Sequence, residues 1–168
     1  MARPADRVTG AEDRPLHPAQ VQVWTLGWGA AVLMALALVL AVEVVAGVRA
    51  DLDLPWPTGA LTAALAVPAL VAVGVVPRIA YRRWRWSLAE RTLELRRGVL
   101  IHVDTAIPYS RVQHIDITRS PIERALGLSQ LVVRTAAATT DATIPGVAVA
   151  EAETLRDVIL ARTGDEGL

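Results

Sequence analysis

The chain has 168 residues, no net formal charge and no cysteine, with 53% apolar and 20% charged residues. Without a basic surplus it lacks the electrostatic footprint of a nucleic-acid binder. Without cysteine it can form no disulfide, thiolate–zinc site or thiol nucleophile, and only His17, His102 and His114 could supply imidazole.

The apolar share exceeds the roughly 45–50% of soluble domains, and its placement along the chain explains why. A polar tail covers residues 1–23. The stretch from Trp24 to Val48 then reads WTLGWGAAVLMALALVLAVEVVAGV, with Glu43 as its one charge. Roughly 20 apolar helical residues cross a bilayer core of about 30 Å, so residues 24–48 are expected to form a first transmembrane helix. The run exceeds the roughly 7–15 residues of a signal-peptide core, and a second span follows it, which argues for retention. RADLDLPWP, residues 49–57, makes a short loop. The uncharged run from Thr58 to Val76 then predicts a second transmembrane helix over 58–77. Glu43 lies near the outer end of its span and has no ionisable partner in the other, which favours an interfacial or packing role over a proton pathway. Pro68 removes a backbone hydrogen bond and is expected to kink the second helix. Small residues four apart (Gly27-Ala31-Ala35 and Ala60-Ala64) would let the two helices approach closely.

Arg78, Arg82, Arg83 and Arg85 follow the second span at once, with 78–83 as a basic juxtamembrane segment, and Arg3, Arg7 and Arg14 precede the first span. The intervening loop holds only Arg49 beside Asp51 and Asp53. The positive-inside bias therefore puts both termini in the cytoplasm and residues 49–57 outside, with Trp24, Trp28 and Trp56 in the aromatic belts. Arginines so placed set topology, and each gains roughly 1 kcal/mol near an anionic leaflet. That makes Arg78, Arg82, Arg83 and Arg85 the candidate lipid-headgroup contacts. The basic set is all Arg, and Ala and Val are abundant, as in a GC-rich bacterial genome; the expected location is the bacterial plasma membrane, crossed twice.

Beyond Arg83 the period changes to two. Trp84, Trp86 and Leu88 share a face against Arg85 and Ser87, and Leu93 and Leu95 oppose Thr92, Glu94 and Arg96. In GVLIHVDTAI, Val99, Ile101, Val103 and Ile107 alternate with Leu100, His102, Asp104 and Ala106. Ile115 and Ile117 then oppose His114, Asp116 and Thr118, and Leu131 and Val133 oppose Val132 and Arg134. Such alternation predicts half-buried antiparallel strands, with tight turns at Ala89-Glu90-Arg91 and at Gly98. From Ala148 to Arg162, Ala152, Leu155, Val158 and Ile159 recur at helical spacing, although no Ser, Thr, Asp or Asn stands at the N-cap. The expected fold is membrane α+β. A two-helix transmembrane hairpin precedes a small antiparallel sheet domain over 84–163, capped by a C-terminal helix, with 164–168 as a tail. In outline the domain is a pleckstrin-homology (PH)-like half-barrel, and the pattern also permits another α+β sandwich.

RVQHIDITRSPIERALGL, residues 111–128, holds the densest set of reactive side chains. His114 and Asp116, two apart on a strand, point the same way, and His102 and Asp104 repeat the arrangement. A charged stripe on a solvated sheet face accounts for both. No Ser stands in a nucleophile elbow, and too few histidines exist for a metal triad, so no catalytic, cofactor or metal site is expected. Pro121–Gly127 reads as a short helical turn with Ile122, Leu126 and Leu128 packed inside. Arg124 and Gln113 are expected to hydrogen-bond carbonyls in the connecting loops.

AIPYSRVQHIDITRSPIERALGLSQLVVRTA resembles the core signature of the bacterial PH-like domains in YdbS-like membrane proteins: an IP-x-x-R-[IV]-Q-x-[IV] strand, a P-x-x-R-x-x-G-[LI] turn and an L-x-V-x-T-A strand. Pro108, Arg111, Gln113, Pro121, Arg124 and Gly127 carry the match together with Ile107, Val112, Ile115, Leu128, Leu131, Val133, Thr135 and Ala136, and their roles are expected to be mainly structural. IPGV at Ile144–Val147 and the helix after it resemble the family's end, so the likeness runs from about residue 15 to 163. The usual G-G loop is replaced by Ala137-Ala138-Thr139-Thr140-Asp141. The resemblance implies a PH-like domain at the cytoplasmic membrane face and no enzyme activity. It also implies a partner: a second membrane protein with repeated copies of the domain. The first functional expectation is a non-catalytic, membrane-anchored interaction module or scaffold. The alternatives are an anionic-lipid-sensing module or an accessory subunit of a transport or envelope-stress system, and a homo-oligomer is a further option for assembly.

Overall fold

A computed structural model describes residues 13–49, 56–135 and 141–165. They form two compact units, residues 22–78 and residues 13–21 with 79–165. The loop residues 50–55, Arg3, Arg7, Ala136–Thr140 and residues 166–168 lie outside the described residues.

The first unit is made of helices α1 (Gln20–Arg49) and α2 (Ala60–Arg83). Both are long and apolar enough to cross a membrane, and only 6% and 11% of their most apolar windows is buried. That exposure suits lipid-facing helices and not the core of a soluble fold. Glu43 is the exception, only 5% exposed. Its carboxylate accepts the backbone N–H groups of Leu61 (3.1 Å) and Thr62 (3.2 Å) and the Thr62 hydroxyl. The first N–H groups of any helix lack intrahelical acceptors, and in lipid an unpaired N–H is especially costly. Glu43 thus caps α2 from the neighbouring helix, which is the packing role expected of it. α2 includes both Pro68 and Pro77 and runs on to Arg83, so residues 78–83 are its last turns.

The second unit carries two three-stranded antiparallel sheets. One is β1 (Arg85–Leu88), β2 (Thr92–Arg97) and β3 (Val103–Pro108); the other is β4 (Val112–Thr118), β5 (Leu128–Thr135) and β6 (Ala142–Ala148). A short helix α3 (Pro121–Ala125) joins β4 to β5, and α4 (Val149–Asp165) packs on β4, β5 and β6. The alternation delivers Leu93, Leu95, Ile107, Ile115, Leu131 and Val133 to the core as expected, joined by Ile144, Ala152, Leu155 and Ile159. Tyr109, fully buried in a 3-10 turn between the sheets, donates its hydroxyl to Ala89 O at 3.1 Å. Arg162 Nη1 from α4 reaches the same carbonyl and the Tyr109 hydroxyl, each at 3.0 Å.

Several expectations are corrected. Val99–His102 is a turn rather than strand, so of the predicted face only Ile107 is buried, while Leu100 and Ile101 are bare. Ser87, expected to face solvent, is buried. β6 was hidden because Pro145-Gly146 looks like a strand breaker. In the register, Ser129 pairs with Val147 and Leu131 with Ile144, so residues 145 and 146 face Gln130 alone. This is a bulge, a place where a sheet tolerates Pro, with Gly146 at φ +63°. α4 starts at the Ala148–Val149 junction without a capping side chain, and the Val149 N–H donates instead to Gly127 O, just ahead of β5 (3.1 Å).

The described part of the N-terminal tail packs onto this unit. Arg14 and Trp86 exchange backbone hydrogen bonds of 2.7 and 3.1 Å, which adds a short rung at the outer edge of β1. His17 N–H donates to Gly146 O (3.0 Å), the Tyr81 hydroxyl donates to Leu16 O (3.1 Å), and Leu16 and Gln20 are buried.

Candidate functional site

The opening candidates sort by what their side chains touch. His114, Asp116 and Arg134 meet on the solvated face of the β4–β5 ladder. His114 Nε2 lies 2.8 Å from one Asp116 oxygen, and Arg134 Nε donates to the other at 3.0 Å. The Asp116 carboxyl is held below its ordinary value, chiefly by the Arg134 hydrogen bond; desolvation opposes that, and the charge of His114 adds to it. Asp116 is thus a half-buried carboxylate held between His114 and Arg134. Among the described residues no group of three or more His, Asp or Glu could hold a metal.

Several of the signature residues shape the backbone. Pro108 precedes the 3-10 turn of Tyr109–Arg111. Gln113 is the extra residue of a bulge, since Val112 pairs with Thr135 and His114 with Arg134; this explains why Gln113 and His114 are both exposed. Pro121 opens α3, whose preceding Ser120 and third residue Glu123 form a reciprocal capping box at 3.3 and 2.7 Å. Gly127 adopts φ +67° and gives its carbonyl to α4. Arg111, Arg119, Arg124 and Gln113 are exposed, and among the described residues neither Gln113 nor Arg124 makes the expected bond to a loop carbonyl. In α3 the buried side chain is Glu123; of the three residues expected inside, Leu128 is buried, while Ile122 and Leu126 (just after α3) are half-buried. The Ser-x-x-Glu spacing of the capping box was available in the sequence and is the signal that would have found this.

The arginines after α2 do not act alike. Arg78 Nη1 turns back onto Gly74 O of its own helix. Arg85 Nη1 donates to Trp84 O (2.6 Å) and Tyr81 O (3.5 Å), closing the end of α2. Arg83 Nη1 donates to Val99 O at 2.8 Å. Arg82 is exposed and, among the described residues, makes no such bond.

A groove of about 730 Å³ lies between the outer edge of β1 and α4. Trp86, Leu88, Leu155 and Val158 supply apolar walls, and Arg14 and Arg162 stand along it. Trp86 exchanges its backbone bonds with Arg14 on this side of β1. By the two-residue alternation of an antiparallel ladder, Leu88 turns its N–H and C=O the same way. Nothing in the spacing of residues pointed to this groove, because one wall is the stretch that reads as a tail.

The profile of the bacterial PH domain family matches residues 21–163. The chain is also 31% identical over 113 residues to the UPF0699 transmembrane protein YdbS of Bacillus subtilis (strain 168), covering 66% of this chain and 70% of that protein. No solved structure matches at a significant level. Two lipid-suited helices, six antiparallel strands in two sheets and a closing helix fit that match along nearly its whole length, and the chain belongs to the bacterial PH domain family as a YdbS-like membrane protein.

Proposed function

We propose that this chain is a non-catalytic interaction module anchored in the bacterial plasma membrane, with both termini in the cytoplasm. Its PH-like domain holds a second membrane protein, one that carries domains of the same kind, at the cytoplasmic leaflet. The observation that supports this reading is the groove between β1 and α4. A cleft of mixed lining, with Trp86, Leu88, Leu155 and Val158 beside Arg14, Glu151 and Arg162, next to an incompletely paired strand edge suits an extended segment added as a strand, or an amphipathic helix laid in the groove.

A photocrosslinking residue at Val158, in the full-length chain in its host membrane, tests the reading. It should capture one membrane protein, whereas the same residue at Arg134 should not, and a chain cut back to residues 1–83 should retain no partner in mild detergent. Val158→Arg should abolish capture with an unchanged melting curve. Capture of a second copy of the chain would replace the heteromeric reading with a homo-oligomer. Equal crosslinking from both positions would remove the groove from the account.

One observation favours a second reading, anionic-lipid sensing: Arg82 is left exposed and unengaged just after the second span. Headgroup contact should weaken steeply with ionic strength, whereas a contact carried by Trp86, Leu88, Leu155 and Val158 in the groove should weaken less. If anionic lipid alone co-purifies and is lost on changing Arg82, Arg83 and Arg85 to Ala, lipid sensing takes over.

A further inference from the structure

Leu100 is 93% exposed and Ile101 77% exposed, at the turn between β2 and β3. Among the described residues no large apolar side chain is as bare as Leu100, those on α1 and α2 included. Single exposed apolar residues are ordinary on a soluble surface, but an adjacent aliphatic pair at the tip of a hairpin calls for an occupant.

The tip is held in shape. Gly98 has φ +131°, and a Cβ there would fall 1.8 Å from the Ile101 carbonyl oxygen, so the chain folds back tightly over these four residues. From outside the turn, Arg83 Nη1 donates to Val99 O. This bond ties the tip to the end of α2. Arg83 is the last residue of α2. Roughly 20 residues cross the bilayer core, so a helix entering at Ala60 leaves it near Ile79. Arg83 then lies about one turn further on, at headgroup depth.

Arg83, bonded to the turn, and Arg97, three residues before Leu100, are the basic groups closest to the tip, and Asp104 lies four residues beyond it. Arg82, Arg83 and Arg97 are exposed, while Arg96 is engaged by Asp13 (3.2 Å) and Glu94 (3.8 Å). Asp104, which pairs with Arg96 in the ladder, is the next carboxylate along the hairpin. An apolar tip with a basic collar suits an anionic lipid surface.

We propose that Val99–His102 is a membrane-inserting wedge. Leu100 and Ile101 enter the acyl boundary of the leaflet in which α2 ends, and Arg82 and Arg97 rest on anionic headgroups. The wedge shares no residue with the groove between β1 and α4, so either could fail without the other.

The chain has no cysteine, so one probe can be placed cleanly. Leu100→Cys is labelled with the environment-sensitive fluorophore NBD, and the full-length chain is reconstituted into phosphatidylcholine vesicles with and without phosphatidylglycerol. Leu160→Cys on α4 is the aqueous control. At position 100 the emission should shift to the blue, be quenched by doxyl-labelled lipid and be shielded from aqueous iodide, more strongly with anionic lipid; position 160 should show the reverse. If position 100 behaves like position 160, the tip is solvated and the proposal fails. If the label is shielded from iodide yet untouched by doxyl lipid, a second copy of the chain covers the tip, and the proposal fails in that direction. In a Leu100→Asp, Ile101→Asp background, a label at His102→Cys should lose its lipid quenching severalfold while the melting curve stays put. A lowered melt there would mean that the pair serves folding instead.

Discussion

At the scale of single residues, two glycines in left-handed or extended-positive conformations are constrained for different reasons. At Gly98 both the φ of +131° and the 1.8 Å approach of Ile101 O exclude any side chain. At Gly127 the φ is +67°, but an added Cβ would meet nothing within 4 Å. Gly127→Asn should therefore be nearly neutral in a thermal melt of the full-length chain in mild detergent, because Asn tolerates this region, while Gly127→Ala should cost about 1–2 kcal/mol of conformational strain. Gly127→Val should cost more than Ala, since a branched Cβ fits this conformation worst. Gly98→Ala should lower the melt well beyond either alanine or asparagine at 127, because backbone must move. The presence of a turn at both sites was legible from the glycines. The distinction between them was not, since it depends on which carbonyl lies opposite.

Asp116 yields a second prediction at this scale. Its folded pKa is lowered from the model-compound value of 3.8, mainly by the Arg134 hydrogen bond. A depressed acid contributes stability that is fully present above its unfolded value and is lost as pH falls through its lower folded value. The contribution is small at a site this open to solvent. In a carboxyl NMR titration Asp116 should titrate below ordinary aspartates, and Arg134→Ala should move it up towards them. No change at Asp116 in that variant would remove Arg134 as the cause.

At the scale of elements, β2 and β5 largely follow the alternation, and the reading fails where a bulge resets the period, at Ser87, which is buried beside Trp86, and at Val99–His102, which turns. Gln113 and His114 are exposed in succession because Gln113 is the bulged residue, and β6 hides behind a Pro-Gly pair that belongs to a bulge. Neither could be seen without the partner strand. The helix starts are a different matter. α3 begins at a Ser-x-x-Glu box that sequence rules describe, whereas α4 begins on a carbonyl from Gly127 and α2 on the Glu43 carboxylate, both remote in sequence. Glu123 is buried and takes bonds from the Ser120 N–H and from Gln130 Nε2. Glu123→Gln keeps an acceptor for the box and should cost little. Glu123→Ala should destabilise the domain by about 1–2 kcal/mol, the range of a lost helix cap, as read by thermal melting of the two variants side by side. Equal melts for Gln and Ala would mean that the capping box contributes nothing.

At the scale of the whole molecule, the transmembrane hairpin, the strand-rich domain and the closing helix were all legible, because hydropathy and period change sharply along the chain. The docking of the N-terminal stretch was not, because Arg14, Pro15, Leu16 and His17 carry no periodicity. Its grip comes from backbone bonds to Trp86 and Gly146 and from one buried leucine. The chain therefore runs into α1 and out of α2 from residues belonging to the same folded unit, with Tyr81 of α2 donating to Leu16 O just ahead of α1. A domain joined in this way depends on residues that precede its first strand by the length of the hairpin. Leu16→Ala should destabilise it by about 2 kcal/mol, the low end for a buried leucine. Gly146→Ala should act on the same contact from the other side: its Cβ would lie 2.8 Å from Gln20 Cβ, in a backbone conformation that already disfavours alanine. Because both changes disrupt one interface, their effects should fall short of additive in the double variant. Full additivity in the thermal melts would show that the N-terminal stretch and the Pro-Gly bulge are independent, and the domain would then be complete without its leading segment.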